Sequence, residues 1–218
     1  MSAKKRSGPP QYRYDPAAAL AHLQAADPAM ALLIKRVGPY ALQLEPTNSL
    51  FEAMLRSIVY QQLHGKAAAS ILARVRAELE RQGGVTPEAA ARASDESLRG
   101  AGLSRNKLLA IRDLATRCLD GTVPTFREAH DLGDDALIER LTLVRGIGPW
   151  TVHMLMIFHL GRPDVMPTGD FAIRLAFKKL YRKRKDPTPD LIVKQARRWQ
   201  PYRSIASWYL WRSLDTNL

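Results

Sequence analysis

The chain has 218 residues, with 33 lysines and arginines against 21 aspartates and glutamates and a formal net charge of +12 at pH 7. That length suffices for one domain or two small ones with a substantial core, and the charge favours a polyanionic partner held with strong salt dependence. A single cysteine, Cys118, excludes a disulfide framework, a cysteine-bound zinc and a four-cysteine iron–sulfur cluster, and no apolar run reaches membrane-spanning length.

Residues 1–13, MSAKKRSGPPQYR, are basic and lack the apolar core of a signal peptide. They predict a disordered arm on a protein that works inside the cell. Asp15-Pro16 opens a helical pattern that Asp27-Pro28 restarts and that runs to Val37. Residues 38–46, GPYALQLEP, alternate and fit either a short strand or an extended link. Asn48 to Arg81 carries long helical periodicity that the Gly65 region divides in two. Thr86-Pro87, Ser94-Asp95 and Gly102-Leu103-Ser104 read as helix starts or turns. A helix from Leu108 to Leu119 ends at Gly121 and Pro124, and its Cys118 reads as packed rather than reactive. Gly133-Asp134 opens a helix over 135–143. After Asp170, FAIRLAFKKLY is a basic amphipathic helix, RKRKDPTPD a loop, and 191–199 and 202–214 the closing helices. Strand signals are almost absent, so the fold class is all-α.

Residues 143–170, LVRGIGPWTVHMLMIFHLGRPDVMPTGD, are the most informative stretch. A helix, a tight turn around Gly146-Ile147-Gly148 and a second helix near Trp150-Thr151 make a helix–hairpin–helix. Two glycines at a helix N-terminus permit the dihedrals and the close backbone approach by which N–H groups hold a phosphate. The carbonyls of Thr142, Val144 and Ile147 could hold a monovalent sodium or potassium ion. Read alone, the same glycines fit an ordinary αα-turn, and Asp170 fits a plain helix cap.

The strings LVRGIGPWTV and GRPDVMPTGD, together with IVYQQLHGKAAASI, GAGLSRNKLLAIRDLA and WQPYRSIASWYLWR, resemble the helix–hairpin–helix DNA glycosylase superfamily, and within it the 3-methyladenine DNA glycosylase II branch. The likeness spans roughly residues 14–214. It implies a two-lobed helical glycosylase fold over 14–218 with a cleft between the lobes. One lobe would come from about 14–47 and 162–218 and the other from about 48–161. The chain would be a compact form without the N-terminal β domain that some relatives carry.

The resemblance assigns Asp170 as the catalytic carboxylate, acting on a nucleotide flipped out of the duplex. Trp150, Trp211 and Met154 match the base pocket, Met154 standing where some relatives carry a tyrosine; read alone, each of the three, Met154 above all, fits a plain core residue equally. Indole faces suit a base made cationic by alkylation. At Trp150 a related lyase branch carries a lysine, so this chain is expected to remove bases without cutting the strand. Gln62, and after it His64, fall where the family places the side chain that fills the vacated stack; the competing reading is a helix-capping role for Gln61, and for Gln62 as well. Gly146, Gly148, Thr151, Lys66, Arg105, Lys107 and Arg145 are the expected contacts to the DNA backbone. Residues 182–185, RKRK, read as a solvated loop or a further contact. His153, His159, Trp199, Trp208 and Tyr209 read as packing.

The expected function is therefore a monofunctional glycosylase for alkylated bases in double-stranded DNA. It would act as a monomer inside the cell, in the cytoplasm and nucleoid of a bacterium or the nucleus of a eukaryote, without membrane association and with no cofactor beyond the hairpin ion. The competing readings are a non-catalytic helix–hairpin–helix DNA-binding module, or a glycosylase for other damaged or mismatched bases.

Overall fold

The computed structural model describes residues 12–47, 49–63 and 65–215. Residues 1–11 of the expected tail, and His64, lie outside the described residues. In chain order the described residues form α1 (Pro16–Ala26), α2 (Pro28–Val37), α3 (Leu50–Tyr60), α4 (Gly65–Arg81), α5 (Pro87–Arg92), α6 (Asp95–Gly100) and α7 (Arg105–Leu119). These are followed by α8 (Phe126–Asp131), α9 (Asp134–Thr142), α10 (Pro149–Phe158), α11 (Phe171–Leu180), α12 (Pro189–Ala196), a 3-10 turn (Arg197–Trp199) and α13 (Arg203–Asp215). Among the described residues there is no strand, and the fold is all-α. Residues 38–46 are a link without a partner strand, held by the Glu45 N–H donating to the Phe158 carbonyl at 2.7 Å.

Local chemistry sets most helix starts. Asp15, Ser49, Thr86, Ser94, Ser104 and Thr188 each accept a first-turn N–H, and proline follows Asp15, Asp27, Thr86 and Thr188 inside the first turn. The expectation passed over α8. Its signal is the reciprocal pair Thr125 and Glu128, a capping box that starts a six-residue helix too short for apolar periodicity.

Two compact units share the chain: one from the described residues up to Pro46 and from Met156 onward, the other Thr47–Leu155. In the first, α13 is the central helix, its residues 204–210 all buried and its flanks packed by α11 and α2. Asp27, 1% exposed, ties this unit together. It caps α2 through Ala29 N–H at 2.9 Å and accepts from Trp199 Nε1 at 3.0 Å and from the Tyr181 hydroxyl. A buried carboxylate is tolerated when donors surround it in this way. In the second unit, α3 supplies Leu50, Phe51, Met54, Leu55, Ile58 and Val59 to the core, and α7 packs against α3 and α5.

Candidate active site

Asp170 is the N-cap of α11, and its Oδ1 accepts the Ile173 N–H at 2.8 Å. The same oxygen accepts Trp211 Nε1 at 3.1 Å. The cap and the aromatic donor thus fix one carboxylate oxygen from two directions, in a half-buried position at the positive end of a helix dipole. The segment before Asp170 is anchored to the start of α13. Asp164 pairs with Arg203 through two bonds, Nε–Oδ1 at 2.7 Å and Nη2–Oδ2 at 3.0 Å. Ser204 donates its N–H to the Pro163 carbonyl at 2.8 Å, and its hydroxyl accepts Val165 N–H at 2.9 Å. The α13 helix therefore positions both the loop that delivers Asp170 and the indole that meets it. Sequence reading nominated Asp170 and Trp211 separately; it missed Asp164 and Arg203, which look like ordinary surface charges.

Trp211 also stacks on Phe158, ring centroids 5.6 Å apart and planes 27° apart. Phe158 was not nominated, although it follows Trp150 and Met154 at four-residue spacing along α10, the spacing of one helix face. Trp150 is 47% exposed and Met154 half-buried. Trp199 and Tyr209 are fully buried and Trp208 is 9% exposed, as side chains that fill a core are.

At the hairpin, Gly146 has φ +77, a left-handed value that favours glycine. The expectation that both glycines serve unusual dihedrals does not extend to Gly148, which is not among the positive-φ glycines. A Cβ built on Gly148 would meet nothing within 4 Å, so what its missing side chain leaves there is open approach to the backbone. The Gly148 carbonyl receives the Thr151 N–H at 3.0 Å, and Thr151 itself is 8% exposed. Arg145 is exposed, while its N–H is held by Asp113 Oδ2 at 2.7 Å. The Val144 carbonyl accepts Ile147 N–H at 3.0 Å. Among the described residues, no group of three or more His, Cys, Asp or Glu is arranged to hold a metal ion.

The turn after α3 presents Gln62, exposed and left-handed at φ 57, followed by Leu63 at 37% exposure. Gln61, the C-cap of α3, donates from Nε2 to the Gly146 carbonyl at 2.9 Å. Lys107 donates from Nζ to the Val59 carbonyl at 2.7 Å, so one of its three donors serves the end of α3, and partial burial lowers its pKa. Lys66 and Arg105 are exposed at the starts of α4 and α7. In the basic loop, the four cations of residues 182–185 are all exposed.

Burial lowers the His153 pKa below its ordinary value, with the Asp134 charge opposing. His159 Nδ1 lies 3.2 Å from the Glu45 carbonyl. Burial, reinforced by Asp120 and Glu88, pushes the Cys118 thiol up to about 12, which keeps it protonated and unreactive.

An all-helical fold with a glycine hairpin and a capped carboxylate one helix later defines a class, and the match is specific. The chain belongs to the HhH-GPD superfamily of base excision DNA repair proteins, whose family pattern covers residues 55–201. It is 38% identical over 197 residues to DNA-3-methyladenine glycosylase 1 of Schizosaccharomyces pombe, across 88% of this chain and 85% of that protein. A solved structure of a Schizosaccharomyces pombe 3-methyladenine DNA glycosylase in complex with abasic DNA is similar at TM-score 0.79 and 37% identity, covering 91% of this chain and 97% of that one. A DNA-3-methyladenine glycosidase from Bacillus halodurans is similar at TM-score 0.81 and 34% identity, with 93% and 91% covered. Among the described residues no helix is long and apolar enough to cross a membrane.

Proposed function

We propose that this protein is a monofunctional DNA glycosylase that hydrolyses the N-glycosidic bond of alkylated bases, of the 3-methyladenine type, flipped out of double-stranded DNA. That step begins base excision repair and places the protein's work with the cell's DNA. The observation that carries the reading is the Asp170 carboxylate, fixed at a helix N-terminus by Ile173 N–H and Trp211 Nε1.

Ring alkylation makes the base cationic. As the C1′–N bond breaks, the base takes the electron pair and leaves neutral, and positive charge develops on the sugar. The ionised Asp170 stabilises that charge, water adds to C1′, and its proton passes to the carboxylate or to solvent. Trp150, Trp211 and Met154 contact the cationic base, the indole faces contributing cation–π attraction. With tryptophan at position 150 there is no lysine to form a Schiff base with the sugar, so the strand stays intact. Gln62 fills the vacated stack, with His64 as the second candidate. The backbone at Gly146, Gly148 and Thr151 and the cations Lys66, Arg105, Lys107 and Arg145 hold the phosphates. The Thr142, Val144 and Ile147 carbonyls are where a sodium or potassium ion would bind and add positive charge beside a phosphate. One copy of the chain suffices for these roles.

The test is base release from methylated duplex DNA. Asp170→Asn keeps an oxygen for the cap and for the indole but removes the charge. It should unfold like wild type while losing about 10²–10³-fold in rate, the scale on which an electrostatic stabiliser acts. Equal release by the two proteins would sink the assignment.

A further inference from the structure

The turn proposed to open the base stack and the hairpin proposed to grip the backbone lie 85 residues apart, yet a side chain joins them directly. Gln61 is adjacent to Gln62, and its Nε2 donates to the carbonyl of Gly146 at 2.9 Å. Two further bonds brace the same junction. Asp113, on α7, accepts the N–H of Arg145 at 2.7 Å and is itself held by Arg117 Nε at 3.0 Å. Lys107, two turns earlier on α7, donates to the Val59 carbonyl in the last turn of α3 at 2.7 Å. Beneath the hairpin, α7 also supplies Ala110, whose Cβ would lie 3.8 Å from a Cβ on Gly146. The α7 helix is the frame, and Gln61 is the strut between the two working turns.

Both turns contain residues in left-handed backbone, Gln62 at φ 57 and Gly146 at φ +77. Such a conformation at a residue other than glycine costs free energy and persists where its surroundings hold it. The Gln61 bond supplies a hold on each turn. It uses the side-chain amide as donor and the Gly146 carbonyl as acceptor, so it does not consume the Gly146 N–H.

We propose that Gln61 is a positioning residue for base extrusion. By fixing the distance between Gln62 and the hairpin, it makes the strand gripped at one turn the strand opened at the other. Catalysis at Asp170 does not require it; converting a stacked, paired base into an extruded one does. This inference rests on the glycosylase reading above and adds a role that a helix cap alone would not have.

The consequence is a dependence on base pairing. With Gln61→Ala, single-turnover release from a fully paired methylated duplex should fall about tenfold, the equivalent of one ordinary hydrogen bond lost. Release of the same lesion placed opposite an abasic-site analogue, already unpaired, should stay near wild type. Asp113→Ala, which removes the brace on Arg145, should show the same split. Fluorescence of 2-aminopurine in a duplex, measured on protein binding, reads the opening without any chemistry and should drop in both variants. Equal losses on paired and unpaired lesions, with a lowered unfolding midpoint, would make Gln61 a plain structural residue and overturn the proposal. So would unchanged release on the paired duplex. If wild type released no alkylated base, the glycosylase reading would fall, and the 2-aminopurine signal would still decide the role of Gln61.

Discussion

The bond between Trp211 and Asp170 separates two roles that one tryptophan could have. As a pocket wall, Trp211 offers its face to the base; as a donor, it holds the carboxylate oxygen that also accepts Ile173 N–H. Trp211→Phe removes the second role and preserves much of the first, because a phenyl ring can still lie on Phe158, now 5.6 Å away in a near-parallel stack. A hydrogen bond to a charged acceptor contributes about 1.5–3 kcal/mol, which is a factor of about 10–150 if the whole of it is felt in the transition state. The Ile173 N–H remains at 2.8 Å as an independent hold on the same oxygen, so the expected loss lies at the lower end, about 10–30-fold in single-turnover release.

The decisive measurement is a double-mutant cycle on that rate. If Trp211 acts through the carboxylate, then once Asp170→Asn has removed the charge, adding Trp211→Phe should cost little more. Binding of duplex DNA carrying an abasic analogue should change less than the rate does. Fully additive losses, the double variant slower than wild type by the product of the two single-variant factors, would refute the positioning argument and leave Trp211 as a wall alone.

Two further outcomes test the hairpin and a half-buried imidazole. Gly146→Ala should destabilise the fold by about 1 kcal/mol or more, because alanine is strained at φ +77, whereas Gly148→Ala, with nothing within 4 Å of the added carbon, should leave the urea midpoint unchanged and weaken DNA binding. Equal effects of the two on stability would refute the distinction. Burial holds His153 below its ordinary value of 6.5, so the unfolded chain takes up the proton first and the contribution of His153 is full above pH 6.5. That contribution should be lost as the pH falls from 6.5 through the lower folded value. The urea midpoint of His153→Asn should therefore decline less between pH 8 and pH 5 than that of wild type, and parallel declines would contradict it.

What the sequence reveals here depends on how far apart the cooperating atoms are along the chain. Asp15-Pro16, Thr86-Pro87 and Ser104 announce their helices because the cap and the N–H it satisfies lie within three residues of each other. Thr125 and Glu128 carry the same kind of signal, and α8 escaped notice because it buries only Ala129. The long-range ties have no such signature. Asp27 reads as a cap and is one, but its bond to Trp199 spans 172 residues and makes it a centre of the unit. Asp113 fits the solvent-facing i,i+4 partner of Arg117, and its hold on Arg145 is invisible to periodicity. Lys107 was nominated for phosphates because a cation beside a turn suits them, yet a cation at a helix C-terminus suits the free carbonyls there equally well, and the Val59 carbonyl takes one of its protons. Composition and motif can therefore nominate the groups of such a site, while the direction in which each polar head points is decided by backbone atoms brought near it by folding. For Gln61, one residue away from the side chain expected to enter the stack, that difference separates a cap from a strut.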